Sequence, residues 1–213
     1  MEENRQITVL CYGDSNTYGY DPHGGRYSAD VRWPKRLAKL LGEEYEVISE
    51  GLNGRTTTYD REDGIFKNGL PYLTPCLLTH MPIDWLIFML GTNDCNAELH
   101  LSTEDIARGM DKLLNVSRLV CLETQGFVPK TVLVVPAAIL PDVEGTPFED
   151  QLDEAAIRKS REIAPHYAAL AEKYGCIFLD GTDELEVSAL DCEHLTEAGH
   201  ARLAQLLREI IEN

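Results

Sequence analysis

The sequence has no surplus of basic residues, no membrane-length apolar run, no paired-cysteine motif and no metalloprotease signature, and each absence removes a class of function. Lys and Arg total 19 against 36 Asp and Glu, a formal net charge of −17, which opposes nucleic acid and anionic membrane surfaces as partners. No apolar stretch approaches the roughly 18 residues of a spanning helix. The opening residues, MEENRQ, are polar and partly acidic rather than a basic region leading into an apolar one, so a cytoplasmic location is expected. The cysteines Cys11, Cys76, Cys95, Cys121, Cys176 and Cys192 form no C-x-x-C pair. Cys11, Cys121 and Cys176 lie in apolar runs and read as small buried hydrophobes of a reducing compartment. H-E-x-x-H is missing, and Cys192, His194 and His200 lack the spacing of a metal site, so no metal, no cofactor and no sensitivity to chelators are expected.

What is present fits a globular α/β chain. The 213 residues carry 44% hydrophobic and 26% charged side chains, enough to bury a sizeable core, and no repeat or composition break divides residues 1–213 into more than one domain. Apolar, β-branched runs at 7–12, 45–48, 85–90, 131–135 and 176–179 predict strands. Between them, helical spacing predicts helices over 31–41, with Trp33, Leu37, Leu40 and Leu41 on one side, and from a Thr74-Pro75 cap to His80. Further helices are predicted from Ser102 or Thr103 to about Val120, over 151–174 with a kink or break at Pro165, and from Thr196 through Ile210. Strands alternating with helices specify a parallel sheet covered on both faces. Residues 56–71 and 141–150 read as long loops on the rim of the sheet.

The polar residues worth weighing fall where strands end or in the last loop. The first strand stops at Gly13, and Asp14, Ser15 and Asn16 follow at the carboxyl edge of the sheet, where open α/β sheets bind ligands. Gly54 and Asn93 follow the second and third strands. In DCEHLT, Asp191 stands three residues before His194 and can reach its ring from one short loop. Each feature alone is an ordinary turn. Together they fill the roles that acyl transfer from an ester requires: a nucleophile, a base, an acid that orients the base, and donors for an oxyanion. Ser15 would attack, His194 would accept its proton, and Asp191 would orient His194. The backbone N–H groups of Ser15 and Gly54 and the Asn93 side-chain amide would hold the oxyanion.

GDSN at residues 13–16, Gly54 in EGLNGRTT, GTND at 91–94 and DCEH at 191–194 resemble the four sequence blocks of the SGNH, or GDSL-type, hydrolases, in family order and across nearly the whole chain. VRW at 31–33, EGLNGRTT and MLGTND resemble the bacterial arylesterase and acyltransferase branch. The resemblance implies a flavodoxin-like three-layer α/β/α fold and a Ser-His-Asp esterase that needs no cofactor. It further implies small ester substrates, acyl transfer to alcohols or peroxide, and assembly into homo-oligomers; a carbohydrate O-acetyl esterase is an alternative within the family. Asn16 stands where the family most often has leucine, which predicts either a more polar pocket wall beside the serine or a supporting place behind it. Asp14 occupies the family's acid position with a structural role in the serine turn, and Asn53 is a turn residue beside Gly54. Tyr18, Tyr20 and Trp33 are candidates for the pocket wall or for packing, and His200 for the surface or packing.

The rival of a different class is a flavin-binding electron carrier of flavodoxin type, with the first loop cradling phosphate. It places an acid, Asp14, where phosphate would sit, and leaves Asn93, Asp191 and His194 without a purpose. A binding protein that kept the fold without activity is disfavoured by the complete set of candidate roles.

Overall fold

The computed structural model describes residues 5–62, 64 and 66–213. The five predicted strands are β1 (Ile7–Gly13), β2 (Tyr45–Gly51), β3 (Trp85–Met89), β4 (Lys130–Val135) and β5 (Ile177–Asp180). They pair in parallel in the order β2-β1-β3-β4-β5. Six α-helices among the described residues complete the alternation: α1 (Ser15–Tyr18), α2 (Trp33–Leu41), α3 (Gly69–His80), α4 (Thr103–Gln125), α5 (Glu154–Tyr174) and α6 (Glu197–Glu212). No helix among the described residues is long and apolar enough to cross a membrane.

Period-two alternation along the central strands sends side chains into two cores. Leu10, Tyr12, Leu86, Phe88, Leu133 and Val135 face α3, α4 and α5. Val9, Cys11, Trp85, Ile87, Met89, Val132 and Val134 face α2 and α6. The three-layer α/β/α sandwich expected from the sequence results. Because the chain goes from β1 outward to β2 and then returns past β1 to β3, the strand order reverses between β1 and β3, and a crevice opens at their carboxyl ends.

Helix boundaries differ from expectation in instructive places. α3 starts six residues before Pro75, because Asn68 accepts the Leu70 N–H (3.0 Å) and caps the turn; Thr74 and Pro75 lie inside. Pro75 forgoes one backbone bond, and burial of Leu73, Cys76 and Leu77 outweighs it. α5 starts at Glu154 under an Asp153 cap and runs undivided through Pro165. In α2 the inner face is Trp33, Leu37 and Leu41, while Leu40 turns outward. All six cysteines are free, and all but the half-buried Cys176 are buried. Part of the first rim loop, at Asp63 and Ile65, lies outside the described residues.

Candidate active site

β1 delivers Ser15 into the crevice through a turn that only glycine permits. A side chain on Gly13 would meet Thr17 Oγ1 at 2.1 Å and the Met89 carbonyl oxygen at 2.8 Å. Ser15 follows as the first residue of the single-turn α1, so its N–H has no partner within the helix. Asp14 caps that turn, one carboxylate oxygen accepting the Asn16 N–H at 2.9 Å. Burial pushes the Asp14 carboxyl up to about 7, against that hydrogen bond and the nearby His194.

The loop between β5 and α6 carries the other half of the site. A bridge between Val187 and Leu195 and a bond from the Ser188 N–H to the His194 carbonyl (2.8 Å) fold it back on itself. Asp191 Oδ1 accepts the backbone N–H of His194 (3.1 Å) and of Glu193 (3.3 Å), which leaves Oδ2 to meet His194 Nδ1 at 2.8 Å. His194 Nε2 in turn lies 2.8 Å from Ser15 Oγ. The chain Asp191–His194–Ser15 is therefore continuous and sits 1%, 3% and 6% exposed, which protects each link from competition by water.

Electrostatics follow from that geometry. Burial opposes a charge on Asp191, but its bonds to the His194 ring and to two N–H groups hold the carboxyl below its ordinary range. For His194, burial likewise opposes the charged form, and the hydrogen bond to Asp191 with the nearby Glu193 and Asp14 carboxylates outweighs it, raising the ring. Glu193 Oε1 stands 3.7 Å from His194 Nε2, and burial raises its own carboxyl.

Asn16 takes the supporting one of its two expected places. Rather than forming a pocket wall, it is 4% exposed and joins the two halves. Its Oδ1 accepts the Leu195 N–H at 2.8 Å and its Nδ2 donates to the Glu193 carbonyl at 3.2 Å. Asn16 thus braces both sides of His194 from the residue next to Ser15.

Across the crevice, Gly54 adopts a left-handed φ of 77° in the turn after β2, beside Asn53. Asn93 donates one amide N–H to the Arg55 carbonyl at 3.1 Å, and its second is available to the cavity. Two residues given no role at first hold this side in place. Buried Arg55 donates to the carbonyls of Gly13 and Glu50, and buried Asp94 accepts from both the N–H and hydroxyl of Thr57. Both lie within quoted blocks, EGLNGRTT and GTND, and that adjacency was the available signal.

Ser15, Asn53, Gly54, Asn93 and His194 all line one cavity of about 280 Å³. Its remaining walls are Tyr20, Arg61, Lys67, Phe148, Gln151 and Glu193. Tyr20 packs against the His194 ring at 4.3 Å between centroids and Phe148 at 5.7 Å. Trp33 is buried in the core, and so is His200, whose Nδ1 accepts the Trp33 N–H at 3.4 Å. His200 takes no part in the cavity.

The chain is similar to known proteins over nearly its whole length. A model of the GDSL-like lipase/acylhydrolase family matches residues 11–202. An aryl esterase from M. smegmatis is similar at 35% identity and TM-score 0.89, with 97% of this chain and 98% of that one covered. A carbohydrate acetylesterase from Sinorhizobium meliloti is similar at 32% identity and TM-score 0.89, covering 97% and 99%. A lipase/acylhydrolase from Enterococcus faecalis, 20% identical with TM-score 0.69 over 97% and 96% of the chains, shares the fold. No curated protein sequence matches the chain.

Proposed function

The chain belongs to the GDSL-like lipase/acylhydrolase family, the SGNH hydrolases, and on that premise we propose that Ser15, His194 and Asp191 carry out its ester hydrolysis. The protein is a serine ester hydrolase. The observation that supports these roles is the unbroken hydrogen-bond chain from Asp191 through His194 to Ser15, ending in the cavity.

In the proposed reaction Ser15 Oγ attacks the ester carbonyl carbon and its proton passes to His194 Nε2. Asp191 holds the ring by Nδ1 and stabilises the imidazolium. The oxyanion accepts hydrogen bonds from the N–H groups of Ser15 and Gly54 and from Asn93 Nδ2. Collapse breaks the bond to the leaving oxygen, which takes the proton from His194 and departs as the alcohol. A water molecule then repeats the sequence on the acyl-Ser15 ester and releases the acid. An alcohol or a peroxide entering in place of water would receive the acyl group instead.

A cavity of about 280 Å³ suits a short acyl group on an aryl or small alkyl alcohol. Its lining by Asn53, Arg61, Lys67, Gln151 and Glu193 supports a second reading, an acetylated sugar, whose hydroxyls those groups would bind. The proposal extends to a single domain over residues 1–213, acting in the cytoplasm as a homo-oligomer without a cofactor. Near-complete coverage of the similar chains supports the first part, and charge, free thiols and the family resemblance support the rest. Initial rates on p-nitrophenyl acetate and on an acetylated xylose, with Ser15→Ala alongside, test both readings. Turnover of either by the wild type and its loss in folded Ser15→Ala are expected, and equal rates in the two proteins would defeat the assignment.

A further inference from the structure

The sheet edge away from His194 carries a second cluster of reactive side chains. In β2, Glu50 points to the same side as Ile48, toward α3. On α3, Cys76 and His80 are four residues apart and so share one face of the helix. The Glu50, Cys76 and His80 donor atoms all lie within 4.8 Å of one another, and Glu50 Oε1 is 2.8 Å from His80 Nε2.

We propose that Glu50, Cys76 and His80 form a binding site for a single divalent transition-metal ion, of which Zn²⁺ is the best fit. One thiolate, one imidazole and one carboxylate are a borderline-soft donor set that Zn²⁺ accepts in tetrahedral geometry, with water in the fourth position. The surroundings support that assignment independently of the ligands. His80 is the last residue of α3, where the carbonyl end of the helix dipole favours a cation. The Tyr72 hydroxyl donates to the second oxygen of Glu50 at 3.2 Å and fixes the carboxylate, as outer groups do at metal sites. Cys76 is 1% exposed, while the Glu50 and His80 side chains are 21% and 23% exposed, so an ion reaches the thiol from solvent past the two other ligands. Binding would displace the thiol proton to water and replace the Glu50–His80 contact by two bonds to the ion.

The cluster was invisible in sequence because its ligands come from β2 and from a helix about two dozen positions later, without a short motif. It is separate from the serine site, and its metal has no part in the ester chemistry. It would pin the end of an edge strand to a proline-containing helix, and so act on stability.

The test is titration of metal-free protein with Co²⁺, reading the thiolate-to-cobalt charge-transfer absorbance, followed by displacement with Zn²⁺. One equivalent per chain is expected, with the band abolished in Cys76→Ser and retained in Cys192→Ser. His80→Gln and Glu50→Gln, which change partly exposed groups and keep the fold testable if Cys76→Ser does not, should weaken Co²⁺ binding by more than the roughly 10-fold typical of losing an outer-shell partner. No charge-transfer band in the wild type, or a band undiminished in all three site variants, would overturn the proposal.

Discussion

Ser15, Asp191 and His194 are held by short turns, joined to one another through Asn16, whereas Arg61, Lys67, Phe148 and Gln151 reach the same cavity from two long loops. On the first side, glycine at the strand end, a capped single turn and a folded-back loop leave the three side chains of the proposed triad little freedom. On the second side the residues are fixed by distant partners, as when Arg61 bonds both Gln151 and Glu98. The difference separates two kinds of requirement. Bond making tolerates little displacement, and its parts sit on strand ends and short turns. Substrate choice is set by loops that can change length and composition without disturbing the sheet.

Removing a group proposed to act on the bond being made should cost most. Asn93→Ala removes the proposed oxyanion donor without touching the Asp191–His194–Ser15 chain, and kcat on p-nitrophenyl acetate should fall about 10² to 10³-fold with little change in KM. A predominant rise in KM would move Asn93 from the chemistry to the pocket wall. Asn16→Ala should be next. It strands the buried Leu195 N–H and frees the Glu193 carbonyl, so a loss of about 1 to 3 kcal/mol by urea unfolding is expected. An accompanying fall in kcat of about 10- to 100-fold is expected because the brace on His194 is gone. Unchanged kcat in a destabilised Asn16→Ala protein would show that the His194 loop holds itself.

The smallest effect lies where the two sides meet, at Glu193. As the proposed base His194 must be neutral, and the ring is raised, so the rate should climb with pH along a limb centred above the ordinary histidine value of about 6.5. Glu193→Gln removes a negative neighbour that favours the imidazolium, so the same limb should move to lower pH with kcat on its plateau nearly unchanged. A limb that stays in place in Glu193→Gln would mean that Asp191 alone sets the base.

The same contrast explains what could be read from the sequence. The five strands announced themselves as apolar, β-branched runs, closed at or just after their ends by a glycine or, for β4, by Pro136, and the strand alternation gave the layers. The pairing of Asp191 with His194 was legible because only two residues separate them in one loop. The start of α3 was not, because Asn68 is an ordinary cap and Pro75 a misleading one. Which of its two expected places Asn16 would take was not legible, because its neighbours in space, Glu193 and Leu195, are far away in sequence. Phe148 reaches His194 from mid-loop with no periodicity to mark it, and Glu193 looked like a spacer between acid and base.

The claim on which everything else rests is that Ser15 is the nucleophile made reactive by His194. Exposure of the protein to a fluorophosphonate, followed by peptide mapping, tests it most directly. A single phosphonyl group on the Ser15 peptide, absent from Ser15→Ala and much slower to form in His194→Ala, is the predicted result. Labelling at another residue, or labelling of Ser15→Ala at the wild-type rate, would contradict it.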